Sequence, residues 1–372
     1  MSLYKIFILI KLRIYDELTK KKRDDYMNSQ DITRAIIGTT IDRGIREMAE
    51  DPKRSIRKLT DLGRRFSKSR FQTWLFSLFQ ELLRNDDSAY YQVLDNLLKN
   101  NRWENLKVFG LNVGYNGWTY GARIIREQAA LAGCQIPWSL ILHYCSDPLG
   151  EMTLEQISDY ITQGKELGIH CFFLWQENSP EQSSDLLDLV EFHKDCAFLW
   201  QIPDAELNRE TVSRIADCGN LMLSLPFEGE HTQKNAMSLH QVKALYTFYL
   251  FYENKGIINE LPEMSSQIED GNCSFLLLIA KDNCEQADRN KVAEYVYNFR
   301  LKQNYPFIPV DMYGDFTTIN NIISEYPCIF EVLSDGQLKT PPSASFQVAD
   351  YPSLKKLFSE AMPYLHSPKT AQ

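Results

Sequence analysis

No two of the eight cysteines (Cys134, Cys145, Cys171, Cys196, Cys218, Cys273, Cys284 and Cys328) are spaced as CxxC. Their separations match no zinc or iron–sulfur ligand pattern. The chain also has no P-loop, no GxGxxG after a strand, no HExxH and no GxSxG. The usual marks of nucleotide hydrolysis, dinucleotide binding, zinc proteolysis and serine hydrolysis are therefore missing. No secretion signal is evident, which points to reduced thiols in a cytoplasmic protein. Nor is any apolar run long enough to cross a bilayer. The nearest, Ile6-Phe7-Ile8-Leu9-Ile10 between lysines, is expected to pack on the body as helix or strand, and a weak membrane contact is the most it allows. The other expectation for this segment is an upstream extension, with Met27 as the natural start. A formal net charge of −9 argues against general nucleic-acid binding. No internal repeat beyond a βα period and no low-complexity segment is visible.

What is present is the composition of a globular protein. With 372 residues, 44% hydrophobic and 24% charged, the chain can bury one barrel and an appendage. Residues 1–130 read as an all-helical N-terminal domain. Segments 31–50, 55–65, 71–84, 89–99 and 121–132 each carry apolar positions at three- and four-residue spacing. Basic residues crowd 53–70, which reads either as a docking face for an acidic partner or anionic lipid, or as a solvated helix face. The glycine-rich stretch 110–121 (GLNVGYNGWTYG) lacks phosphate-loop spacing and is expected to be a breaker between helices.

From Ile136 the rhythm becomes βα. Strands are predicted at 138–143, 170–175, 197–201 and 221–225, whose starts are 32, 27 and 24 residues apart. They are apolar throughout, as parallel strands covered on both faces should be. Thr153 and Gln156 form a capping-box pattern, and Gly168 suits the end of the helix that follows. Asn208 and Ser353 read as helix caps. Further strands are predicted at 273–280, 307–311 and 329–333. A helix is predicted at 239–254, whose tyrosines and phenylalanines are assigned to core packing. The expected fold is α/β: a partial parallel (βα)6 TIM-like barrel over 131–300, the helical domain before it, and the last strand or strands and a C-terminal extension over 301–372.

Several segments match a family pattern in order. They are Ile136-Pro137-Trp138, Leu149 to Glu155, Gln163-Gly164-Lys165-Glu166-Leu167-Gly168-Ile169, Asp195-Cys196-Ala197-Phe198-Leu199, Gly219-Asn220 with Phe227-Glu228-Gly229, and the turn Ser334-Asp335-Gly336. Together they resemble the SPASM-like subfamily of the radical SAM superfamily, over most of the chain. The resemblance implies a barrel of the radical SAM type. It would also imply a [4Fe–4S] cluster on a Cys-x3-Cys-x2-Cys loop after the first strand and a Gly-Gly-Glu-Pro turn after the second. Neither motif is present. Residues 144–153 hold one cysteine, Cys145, and the turn is Gln176-Glu177-Asn178-Ser179. Pro341 stands where the family has its C-terminal cysteine.

Ligands of parallel βα folds gather at the C-terminal ends of the strands. The polar residues expected there are Cys145, Asp147, Glu177, Asn178, Gln201, Asp204 and Glu228. Of these Cys145, Glu177, Gln201 and Glu228 are the candidate cofactor-binding positions. No catalytic residue and no metal ligand is assigned. His143 and His170 fall at opposite ends of neighbouring strands and read as structural. One protein thiolate cannot hold a cluster, so no cofactor is expected. The functional expectation is a radical SAM-like pseudoenzyme that binds or scaffolds a protein partner, such as an active relative or its substrate. The alternative is a remodelled cleft that takes a small metabolite such as S-adenosylmethionine, or performs acid–base chemistry with Glu177 and Glu228.

Overall fold

The computed structural model describes residues 33–44, 46–47, 51–66, 70–145, 152–178, 184–339 and 345–364. The chain begins with helical segments: α1 (33–44), α2 (Pro52–Phe66), α3 (Arg70–Leu82), α4 (Tyr90–Asn100), α5 (Trp103–Leu111), a π-helix (Asn112–Gly121) and α6 (Ala122–Ala132). Strands and helices then alternate: β1 (Ser139–Tyr144), α7 (Leu154–Glu166), β2 (Cys171–Gln176), α8 (Ser184–Phe192), β3 (Ala197–Gln201), α9 (Arg209–Asp217), β4 (Leu221–Pro226), α10 (Thr232–Gln241) and β5 (Tyr246–Tyr252). The second half holds α11 (Ile257–Glu260), α12 (Ser265–Asp270), β6 (Phe275–Ala280), α13 (Gln286–Lys302), β7 (Ile308–Asp311), α14 (Met312–Ser324), β8 (Phe330–Val332) and α15 (Leu354–Ala361).

All eight strands are parallel, in the order β7-β6-β5-β4-β3-β2-β1-β8. Among the described residues this is a TIM-like α/β barrel sheet, open between β7 and β8. Its eight strands exceed the six expected of the barrel; seven of them match predicted strands, and the unpredicted one is β5. The aromatic run predicted as helix at 239–254 is instead β5, because aromatic residues favour a pleated, half-buried surface. Helix α10 lies upstream, and Lys243 in the left-handed region (φ 56°) turns the chain into the strand. In β5, Tyr246, Phe248 and Tyr252 join the outer core, and Tyr249 faces inward. The predicted C-terminal hairpin does form, with Val332 bridging Leu338 around Gly336 at φ +79°. Its first arm also pairs with β1, Ile141 opposite Glu331, and so becomes the eighth strand.

Two cores result from strand alternation. The outer one, between sheet and helices, buries Leu140, Leu142, Phe172, Leu174, Phe198, Trp200 and Leu223. The inner one holds Ile141, Phe173, Tyr249, Leu277, Ile279 and Met312, with Trp175, Leu199, Val310, Tyr313 and Phe316 packed on it. Met312, Tyr313 and Phe316 belong to α14, which joins β7 to β8 and fills the open seam. Trp138 ties α14 to the start of β1, donating its indole N–H to the Phe316 carbonyl at 3.1 Å and its backbone N–H to Asn320 Oδ1 at 2.8 Å.

Caps formed as the sequence expects. Thr153 and Gln156 bond reciprocally, and Asn208 and Ser353 accept from Thr211 and Lys356 backbone N–H groups. The stretch 110–121 is not a breaker but continues the helix with π geometry. Two of its four glycines are needed for close approach: a Cβ at Gly117 would sit 2.8 Å from Cys171 Sγ, and one at Gly121 would sit 2.1 Å from the Gly168 carbonyl oxygen. The segment 256–271 contains the short helices α11 and α12. No helix among the described residues is long and apolar enough to cross a membrane.

Candidate functional site

The C-terminal ends of the strands carry a connected polar network. His143 projects inward from β1, its side chain 8% exposed, and stacks on Trp175 of β2 with ring centroids 4.7 Å apart. Its Nδ1 lies 2.9 Å from Glu177 Oε1 and its Nε2 lies 2.9 Å from Glu331 Oε1. Each ring nitrogen of His143 thus has a carboxylate oxygen within hydrogen-bond distance. Glu331, the inward residue of β8, is 3% exposed and has two further donors. Tyr313 of α14 donates to Oε2 at 3.1 Å, and Lys339 Nζ donates to Oε1 at 3.2 Å. Burial alone would raise the Glu331 carboxyl; the His143 hydrogen bond and the Lys339 charge outweigh it and hold the group below its usual range. The Lys339 ammonium, which burial would discharge, is instead held above its ordinary value chiefly by Glu331.

The network continues outward. Lys339 pairs with Asp282 after β6 at 2.8 Å, and Ser334 donates to Glu177 Oε2 at 2.6 Å. One chain of contacts thus links β1, the turn after β2, the loop after β6, α14, β8 and the hairpin beyond it. Phe251 of β5 stacks on the far side of Trp175 at 5.6 Å, placing an aromatic layer beside the ions.

Of the positions expected from sequence, Glu177 lies inside this network. Cys145 follows β1 directly and is half-buried. Gln201 ends β3 facing inward; it is buried, and its Oε1 has no hydrogen-bond partner. Its register neighbour on β4, Ser224, has an equally buried and unpartnered Oγ. Glu228 is exposed after β4, with no ion pair or side-chain hydrogen bond to a described residue. Asp204 accepts from the backbone N–H groups of Glu230 and His231 and so braces the loop after β4. Asp147 lies outside the described residues, as do Ser179 and Pro341. Sequence reasoning did not pick out Glu331, Tyr313 or Lys339. The legible signal was Glu331 alone in the apolar run Ile329-Phe330-Glu331-Val332-Leu333, since a charge buried in a strand needs partners.

The thiols at this end do not fit a three-thiolate [4Fe–4S] cluster. Cys145 follows β1 and Cys284 follows β6, on different parts of the rim; the other six cysteines stand at or before strand starts. The position facing the cleft from β1 is His143, whose two nitrogens are already engaged by carboxylates.

No protein-family model matches the chain, and no curated protein aligns with it significantly. Similar solved structures include native anSMEcpe with bound AdoMet, at 9% identity and a TM-score of 0.41, covering 60% of this chain and 83% of that one. Methylornithine synthase (PylB) aligns at 12% identity and a TM-score of 0.36, over 69% of this chain and 93% of that one. The 3-dehydroquinate dehydratase from Geobacillus kaustophilus HTA426 aligns at 11% and 0.35, over 56% and 85%. The fold class rests on the strand order itself.

Proposed function

We propose that the chain is a radical SAM-like barrel of the SPASM-like kind that has given up cluster chemistry and serves as a cytoplasmic binding or scaffolding protein. The observation that carries this reading is His143. At the end of β1, where the family's cluster loop would depart, it bridges Glu177 and Glu331 instead. Glu177 stands in the turn that the family builds as Gly-Gly-Glu-Pro. The family's two cofactor-holding elements are thus replaced by residues that bond to each other. Polar groups committed to one another in this way suit a scaffold more than a catalyst.

A protein partner also has surface to meet. The N-terminal helices expose Ile36, Trp74, Phe79 and Trp103, and α2 carries a basic face. That face borders a groove of about 670 Å³ lined by Lys53, Arg54, Arg57, Lys58 and Arg65, with Asp51, Asp61 and Asp86 among them. Arg57 is committed to Asp86 and Lys58 to Glu47.

The test is anaerobic iron–sulfur reconstitution, with iron analysis, absorbance and assay of reductive S-adenosylmethionine cleavage. Substoichiometric iron and no cleavage are expected; a stoichiometric cluster would overturn the reading. A second reading, a small-molecule cleft, is favoured by the unpartnered Gln201 Oε1 and Ser224 Oγ inside the barrel. A saturable thermal shift with S-adenosylmethionine, abolished in Gln201→Leu, would select it over the scaffold.

A further inference from the structure

The opposite end of the barrel holds a second cluster. His170 immediately precedes β2, and Asp195 and Cys196 immediately precede β3. A ring nitrogen of His170, a carboxylate oxygen of Asp195 and Cys196 Sγ all lie within 4.8 Å of one another. His170 is 6% exposed and Cys196 fully buried. Both His170 ring nitrogens lack a hydrogen-bond partner; the Asp195 backbone faces the ring without making a bond of good geometry. A buried imidazole with neither nitrogen engaged is costly and calls for an explanation such as an ion. Asp195, whose side chain is 48% exposed, opens the cluster to solvent and supplies an entry path.

The scaffold around these residues is held in place. Asn112 of the π-helix donates to the Lys194 and Cys196 carbonyls at 2.9 and 2.7 Å, and Asn116 donates to the Asp195 carbonyl at 2.7 Å. Gly117 lets the same helix close onto Cys171. π-Helical insertions of this sort are frequent at functional sites.

We propose that His170, Asp195 and Cys196 bind a divalent transition-metal ion, with zinc the ion whose mixed nitrogen, oxygen and sulfur preference they fit. Three protein ligands leave a fourth position for solvent on the Asp195 side. Ligand atoms of a tetrahedral zinc stand roughly 3.5 Å apart, so the cluster must contract by about 1 Å, within reach of side-chain rotation. Lys165 holds Asp195 Oδ1 at 2.8 Å, the oxygen that also lies 4.0 Å from Cys196 Sγ, so the ion shares this carboxylate with Lys165. On binding, the Cys196 S–H bond is replaced by a sulfur–metal bond and its proton leaves to solvent.

The test is Co²⁺ titration of the metal-free full-length chain, followed by zinc competition. A saturable thiolate-to-cobalt charge-transfer band at one equivalent, displaced by zinc, is expected. Cys196→Ser should abolish the band, and His170→Gln should weaken binding about tenfold or more. Cys145→Ser and Cys284→Ser should leave it unchanged. Zinc should raise the thermal midpoint of the natural chain and not that of Cys196→Ser, with circular dichroism confirming that the variant is folded. Absence of a thiolate band, or its persistence in folded Cys196→Ser, overturns the site. None of these readouts depends on the function proposed for the opposite end.

Discussion

The two ends of β1 and β2 carry the same residue type in opposite states. His143, at the C-terminal end, has a carboxylate on each nitrogen; His170, at the N-terminal end, has no hydrogen bond on either. Neither state comes from the strands. Glu177, Glu331 and Lys339 reach His143 from the turn after β2, from β8 and from the hairpin beyond it. The π-helix and the residues before β3 enclose His170, and burial there pushes its imidazole down to about 4, so it stays neutral. The comparison shows that a parallel barrel makes an ionic end and a neutral end from one framework by what its connections deliver.

The sharpest way to break the ionic end is Glu331→Ala. It strands His143 and Lys339 without their shared acceptor and should cost about 3–5 kcal/mol in chemical denaturation. A loss under about 1 kcal/mol would show that the network is not stabilising. At the other end, Gly121→Ala tests close packing rather than charge. Its Cβ meets the Gly168 carbonyl at 2.1 Å and the Asn116 carbonyl at 2.7 Å, both backbone atoms. A loss of about 3 kcal/mol is expected, read as a lower thermal midpoint.

Two acids near the ionic end should give opposite pH slopes. Asp311, at the end of β7, has an unpartnered Oδ1 and is pushed up to about 7, first by burial and then by Asp315 nearby. Folding favours its protonated form. Its contribution is therefore full below the ordinary carboxylate value of about 3.9 and is lost as pH rises through 7. Glu331 is held low, so its contribution is present above its ordinary value and lost as pH falls through its folded value. Urea titrations from about pH 2 to 8 should therefore show Asp311→Asn with a flatter decline toward neutral pH. Glu331→Gln should flatten the acid side instead. Identical slopes in the natural chain and Asp311→Asn would refute the assignment. The smallest effect is expected for Glu177→Ala. Its side chain is 39% exposed, and solvent screening should keep the loss below about 1 kcal/mol in the same assay.

Much of this architecture was legible before any coordinates. The apolar runs of β1 to β4, the Thr153–Gln156 box and the caps at Asn208 and Ser353 follow from short-range chemistry, and the structure shows each in place. The aromatic run at Tyr246–Tyr252 misled because continuous hydrophobicity has no period and suits helix or strand equally. Only pairing with β4 and β6 decided it. The strand at Phe330 and the turn after it were legible, but not the pairing of that strand with β1.

The candidate site was legible in part, for the same reason. Glu177 could be placed at a strand end from its position in one βα unit. Its partner His143 is 34 residues away and the other carboxylate, Glu331, is 188 residues from that histidine. His170 and Cys196 stand at successive strand starts, and nothing local says that their side chains converge. By itself the sequence determined the order of strands and helices from β1 to β4, the helix caps, and the lack of three thiolates after β1, because these depend on residues near one another in the chain. Tertiary structure alone decided that the sheet has eight strands, that α14 fills its open seam, and which charged groups meet His143. Those depend on which distant segments share an end of the barrel, and on burial that only the assembled sheet creates.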